Sequence, residues 1–322
     1  MSEKGYDFMK KCDLRKLYGS TLVELGGENP DVVVLEADLA KTTMSILFQQ
    51  AFPERYFEMG IAEQNMVSFA AGLALCGKKP FINSFAVFST GRVFDQIRQS
   101  LCLPKLNVVV NGSSSGLSDF GDGATHQSFE DAALMRLLPH MTVFHPTDAV
   151  DTPQIVRRAI CMDGPVYLKF PRSEMPGMLP ADYALKVGEP YVLREGKDAA
   201  VFACGIEVYY AMEAAERLAG RGTDVKVIVV NTLKPVADET ICALVKDIPY
   251  VVTAEEQSVI GGLASIVSYA LRNEGKKMEA IAIHDAFGQS AQSHEALLEH
   301  YRLTDRFIED AIVKLIDPRM VE

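Results

Sequence analysis

The sequence predicts an α/β protein of two doubly wound domains, each a mainly parallel sheet clothed by helices. Short β-rich apolar runs alternate with helix-period segments along nearly the whole chain, the pattern of a parallel sheet joined by crossover helices. A stretch interrupted by Pro176, Pro180 and Pro190, with no sustained period, separates two such series. The 322 residues are enough for two separate cores.

In chain order, residues 12–25 carry Leu14, Leu17, Tyr18, Leu22 and Leu25 at helical spacing, and Gly26-Gly27 is expected to end that helix. Residues 31–38 read as a buried strand with Asp38 at its carboxyl end, where ligands of open α/β sheets gather. Leu39 to Thr42 then fall in a candidate site loop. A helix starts near Glu63 and runs to Gly77, with Met66, Phe69, Ala70, Leu73 and Ala74 expected on buried faces. Residues 80–85 form the next strand, with Phe85 and Phe88 at its junction with a helix, and residues 92–101 continue as helix.

A strand at residues 106–110 feeds a long segment, 111–125, rich in glycine and serine. Such a segment is either a disordered linker or a binding loop, and its place between regular elements favours binding. A helix at 130–138, a strand at 141–144, a helix ending near Arg158 and a strand at 166–170 complete the first series; the last strand delivers Arg172. After the linker, strands at 199–203, 225–230, 250–253 and 279–283 alternate with helices. The domains are therefore expected at 1–175 and 198–322, joined by a linker at 176–197.

Composition narrows the function. A net charge of −11 with no basic run argues against a nucleic-acid surface. No apolar stretch approaches a membrane span and the first residues lack a signal-peptide core, so a cytoplasmic protein is expected. Six cysteines are scattered without a C-x-x-C pair, mostly inside apolar patterns, and read as reduced core thiols.

Several polar residues carry possible chemistry. A carboxylate in a first helical turn, as at Glu63, is ordinarily a partner of the helix dipole. Near the aromatic walls that Phe85 and Phe88 would provide, it can instead act on a flat heteroaromatic ring. Within Asp122-Gly123-Ala124-Thr125-His126-Gln127, Asp122 could orient a hydroxyl group, while His126 could shuttle a proton or stabilise a developing alkoxide. Arg172, at the carboxyl end of a strand, is placed to meet an anion such as phosphate; the plainer reading is a surface arginine. No convincing metal-ligand cluster is present in the sequence.

Gly60-Ile61-Ala62-Glu63-Gln64-Asn65-Met66 resembles the signature of the pyrimidine-binding domain of transketolases. The run 122–127 is similar to the Asp-Gly-Pro-Thr-His-Gln of transketolases and deoxyxylulose-phosphate synthases, with Ala124 replacing proline. Residues 253–262 resemble the C-terminal domain shared by these enzymes and 2-oxoacid dehydrogenase beta subunits, and residues 287–291 resemble the transketolase C-terminus. The resemblance implies that Glu63 hydrogen-bonds the aminopyrimidine of thiamine diphosphate, that Phe85 and Phe88 wall it, and that Asp38 lies near the cofactor at a subunit interface. It further implies that Thr42, Asp122, His126 and Arg172 meet substrate, with Arg172 on its phosphate. A further wall tyrosine of the family falls on Gly91, and its second substrate histidine on the Asn111-Gly112-Ser113 stretch.

By this resemblance the chain is the C-terminal subunit of a split transketolase, moving a two-carbon ketol unit from a ketose phosphate to an aldose. An N-terminal partner subunit would bring the diphosphate cradle and the Mg2+ ligands, with self-association into a heterotetramer. The alternatives are the beta subunit of a 2-oxoacid dehydrogenase, a deoxyxylulose-phosphate synthase-like enzyme, or a noncatalytic interaction subunit.

Overall fold

A computed structural model describes residues 10–317. Its strands are β1 (Lys11–Cys12), β2 (Val32–Glu36), β3 (Tyr56–Glu58), β4 (Lys79–Phe85), β5 (Val109–Ser113), β6 (Thr142–Phe144), β7 (Val166–Lys169), β8 (Met175–Pro176), β9 (Tyr191–Arg194), β10 (Ala199–Ala203), β11 (Val225–Val229), β12 (Thr232–Lys234), β13 (Tyr250–Ser258) and β14 (Lys277–Ile283). A seven-stranded sheet has the order β12-β6-β7-β5-β4-β2-β3, and a five-stranded sheet the order β14-β13-β10-β11-β9. Only the edge strands β12 and β9 pair antiparallel within these sheets. The mainly parallel α/β class read from the sequence is what the chain adopts.

Both sheets are buried on both faces, which explains why their strands read as unbroken apolar runs rather than alternating ones. Successive strand residues face opposite sides. Val32 and Val34 accordingly join one apolar layer with Leu14, Tyr18 and Leu22 of helix Leu14–Glu28. Val33 and Leu35 join the opposite layer with Met66 and Val67 of helix Glu63–Leu75. Ala199 and Val201, then Ala200 and Phe202, divide between the same two layers, so both cores continue from one sheet into the other.

The structure departs from the sequence reading at several places. Helix Leu14–Glu28 runs straight through Gly26-Gly27. A Cβ at Gly26 would come within 2.6 Å of the Phe48 ring, so this glycine serves close packing rather than termination. Helix Glu63–Leu75 is not buried all round, because Phe69 is 43% exposed and Leu75 is 73% exposed. The expected strand at 106–110 is shifted to Val109–Ser113, and Asn111 to Ser113 are thus sheet residues. Residues 108–119 are all buried, so the segment beyond that strand is an interior element, in line with the preference against a disordered linker.

The helix expected at 92–101 is a short turn at Phe94–Gln96 that widens into a π-helix at Ile97–Cys102. Strand β12 was not anticipated; it leaves the second series to pair with β6 of the first sheet. Inside the linker, β8 pairs with β1 and β9 extends the second sheet. Of the six cysteines, Cys102 and Cys204 are buried, whereas Cys76 and Cys161 are exposed; all six are unpaired thiols. Cys76 is exposed because it caps the end of its helix.

Candidate active site at the carboxyl edge of the first sheet

Parallel pairing aligns the strand ends. Glu36 of β2 lies opposite Glu58 of β3 and Asn83 of β4, Phe85 lies opposite Ser113 of β5, and Gly112 lies opposite Lys169 of β7. The segments holding Asp38, Glu63, Phe88, Asp122, His126 and Arg172 all leave this one edge, where side chains from separate strands can converge on a ligand.

Glu63 opens helix Glu63–Leu75 and is 3% exposed. One carboxylate oxygen accepts a 2.8 Å bond from Arg92 Nη1, and the Arg92 guanidinium lies 4.2 Å from the centre of the Phe88 ring. Phe85 and Phe88 are nearly parallel, their planes 15° apart and their centres 6.1 Å apart. His126 sets its ring edge-on to both, with centres 5.9 and 5.5 Å away, and its Nδ1 is 2.8 Å from Thr125 Oγ1. Glu63, Arg92, Phe88, Phe85 and His126 thus form one connected constellation. A buried carboxylate beside parallel rings suits a flat, basic heteroaromatic ring, since the acid can hold a proton on a ring nitrogen while the rings pack its faces.

On the other flank, Arg172 Nη1 donates to Asp119 Oδ1 at 2.7 Å and lies 3.7 Å from Asp122 Oδ2. The Arg172 amide donates to Ser118 Oγ, and Ser115 N donates to Phe170 O, so the end of β7 and the loop are laced together. Burial raises the Asp119 carboxyl above its ordinary value; Arg172 opposes this and Asp122 adds to it. Arg172 Nε and Nη2 have no hydrogen-bond partner among the described residues. The side chain is 42% exposed. It can therefore serve its buried partner and still receive an anion.

Asp38 and Thr42 sit apart from these groups, around a cavity of about 330 Å³ shared with Lys41, Ile46 and Glu58. Asp38 is in the left-handed region, with φ 62°, held there by a bond from its amide to Glu58 Oε1 at 2.9 Å. The same oxygen accepts from Gly60 N, so Glu58 ties the Asp38 turn to the turn before Glu63. Beneath them, Glu36 accepts from the Thr43 and Ser45 hydroxyls at 2.6 Å each, and burial pushes its carboxyl up to about 7.

Sequence reasoning missed four contributors. Arg92 was read only as the start of a helix, and Asp119 only as part of a loop. Arg15, bonded to Asp13, donates to the Thr42 carbonyl at 3.2 Å. Glu256 arrives from the second sheet to accept from Leu117 N at 2.6 Å. Asp119 carried a weak signal, being one of two acids in a mostly small run; the others depend on pairings across the fold. Among the described residues no group of three or more His, Cys, Asp or Glu could hold a metal ion. Nor is any helix there long and apolar enough to cross a membrane.

The transketolase pyrimidine-binding domain model matches residues 10–178, and the transketolase C-terminal domain model matches residues 188–308. This chain belongs to the transketolase family. A Methanocaldococcus jannaschii protein named as a transketolase C-terminal section is 40% identical over 94% of this chain and 95% of its own length. The 6-deoxy-6-sulfo-D-fructose transketolase subunit SqwH of a Clostridium species is 36% identical over 92% of each chain. A solved structure described as a split gene transketolase, inactive beta4 tetramer, superposes with a TM-score of 0.86 and 44% identity, covering 94% of this chain and 98% of that one. The chain is thus similar, nearly end to end, to the C-terminal sections of split transketolases, and membership of this family supports a thiamine diphosphate-dependent transferase.

Proposed function

We propose that this chain is the C-terminal subunit of a split transketolase that transfers a two-carbon ketol unit from a ketose phosphate to an aldose. The observation that carries the reading is the Glu63–Arg92–Phe88–Phe85–His126 constellation, a pyrimidine pocket built on a chain of the same extent as split-transketolase sections. When bound, thiamine diphosphate supplies the carbon centre that allows the bond beside a ketone to break.

This chain's own residues prepare that chemistry. Glu63 holds a proton at the pyrimidine ring nitrogen, with Arg92 fixing the carboxylate, and Phe85 and Phe88 exclude water from the ring's faces. Asp38 supports the cofactor from the neighbouring strand end. His126, held edge-on by both rings, moves a proton at the substrate oxygen, and Asp122 orients a hydroxyl. Thr42 contacts substrate beyond the Asp38 turn. Arg172 binds the terminal phosphate with the guanidinium donors that Asp119 leaves free. A relative is named for a sulfo-sugar, which supports a tetrahedral anion at the substrate's far end.

Residues 1–175 form the pyrimidine-binding domain in this reading, 176–197 the linker and 198–322 the C-terminal domain. An N-terminal partner contributes the diphosphate cradle and the Mg2+ ligands, in a heterotetramer with two composite sites. The description of a related chain as an inactive beta4 tetramer supports this dependence. The scattered free thiols fit a reducing cytoplasm, the setting of carbohydrate metabolism.

Reconstitution tests the proposal. The purified chain should fold and self-associate but show neither tight thiamine diphosphate binding nor turnover. Adding the N-terminal subunit with Mg2+ should restore both. Ketol transfer by the chain alone would overturn the split assignment, and no transfer by the reassembled pair would overturn the activity.

A further inference from the structure

The loop bearing Asp119, Asp122 and His126 springs from the first sheet, yet much of what holds it belongs to the second domain. Glu256 of β13 accepts from Leu117 N at 2.6 Å through Oε1. His294 Nε2 lies 2.6 Å from that same oxygen, and both side chains are at least nine-tenths buried. Farther along, Ala291 N donates to Phe120 O at 2.9 Å, and Gln127 Nε2 donates to Gln289 O at 3.1 Å. Leu117 and Phe129 share an apolar cluster with Ile283, Leu297, Leu298 and Leu303.

The fit leaves no slack. Gly116 has φ 63°, and a Cβ there would lie 2.6 Å from the Glu256 carboxyl carbon. At Gly123, a Cβ would come 2.5 Å from Ser290 Oγ. The loop's backbone is therefore shaped around the Glu256 carboxylate and the segment that precedes His294.

We propose that Glu256 and His294 are a positioning pair, holding the substrate loop through the Leu117 amide with the proton on His294 as the control. That the loop faces substrate rests on the function proposed above; the clamp itself does not.

The electrostatic surroundings set the direction. Burial works against a charge on His294, but Glu256 beside it and Glu295 on its own helix outweigh this, and its pKa is raised above the ordinary 6.5. Glu207, fully buried and facing Glu256, Asp305 and Glu255, is pushed well up by burial and favours the neutral form. Lys11 faces Glu295 from outside. A raised folded-state value means that the His294 contribution is complete below about 6.5 and fades as pH rises through the folded value. Above that point the contact from His294 is no longer charge-assisted, and the Glu256 side chain that holds Leu117 is less firmly fixed.

Amide hydrogen exchange of the purified chain, read on peptides spanning residues 114–127 from about pH 5.5 to 8.5, tests this. Protection, corrected for intrinsic chemistry, should fall roughly 10–100-fold across the window, the scale of one charged hydrogen bond. His294→Gln keeps a donor to Glu256 but cannot titrate, so its protection should be flat with pH. Glu256→Gln should lower protection throughout, with β2 peptides unchanged as the folding control. Wild-type protection that shows no pH dependence, or the same profile in His294→Gln, would overturn the clamp. In the enzyme reassembled with its partner, His294→Gln should lower kcat/KM for the phosphorylated donor about 3–10-fold, because the loop carries both Asp122 and His126. Altered exchange with unchanged kcat/KM would instead refute the substrate role of the loop.

Discussion

Replacing Arg172 separates phosphate recognition from fold, provided the replacement respects what the structure shows. Its Nη1 serves Asp119, whose side chain is 2% exposed, so Arg172→Ala would strand a buried carboxylate. Breaking that pair would disturb the loop that also holds His126. Arg172→Lys is the sharper perturbation. The ammonium can reach Asp119 or the substrate anion but cannot serve both with the fixed fork of a guanidinium. Losing one charge-assisted contact to phosphate removes about 1.5–3 kcal/mol, and at about 1.4 kcal/mol per decade this is roughly 10–100-fold in kcat/KM. The assay is kcat/KM of the reconstituted enzyme with a ketose phosphate and with hydroxypyruvate, which lacks the phosphate. The first should fall by the amount given and the second by less than about 3-fold. Equal losses would refute the reasoning and leave Arg172 as a support of the Asp119 loop.

Three further outcomes are expected. Glu63→Gln keeps an oxygen for Arg92 but removes the anion, so hydrogen–deuterium exchange at the thiazolium carbon of bound cofactor should slow roughly 10²–10⁴-fold with little change in folding; unchanged exchange would remove Glu63 from the mechanism. Glu36, raised from 4.5 to about 7, contributes stability that is complete below 4.5 and is lost as pH rises through about 7. Glu36→Gln should therefore flatten the fall in unfolding free energy over that window by about 1.4 kcal/mol per pH unit, and an unchanged slope in urea titrations would show that Glu36 is ionised throughout. Gly262→Ala would place a Cβ 2.1 Å from Glu255 Oε2, the oxygen that accepts the Leu263 amide at the start of helix Leu263–Ala270, so about 1–3 kcal/mol of destabilisation is expected from thermal unfolding; a neutral effect would mean that Glu255 does not cap that helix.

The sequence by itself determined the fold class, because doubly covered parallel strands must be continuously apolar and their crossover helices must follow the helical period. It also singled out the candidate residues without any knowledge of their neighbours: Phe85 and Arg172 where strands end, Glu63 in a first helical turn and His126 at the close of a loop. Only tertiary structure decided who partners whom. Arg92 meets Glu63 across 29 positions, Glu256 reaches Leu117 across 139, and Thr232–Lys234 returns to the other domain's sheet. Such pairings are set by packing and by the need to satisfy buried charge, and neither leaves a local pattern in the chain. The exposed Phe69 shows the same limit, since periodicity reports which residues share a helix face but not what covers that face. The serine- and glycine-rich segment shows it too: its place between regular elements favoured a binding loop over a linker, while its burial under contacts from the second domain is visible only in the fold.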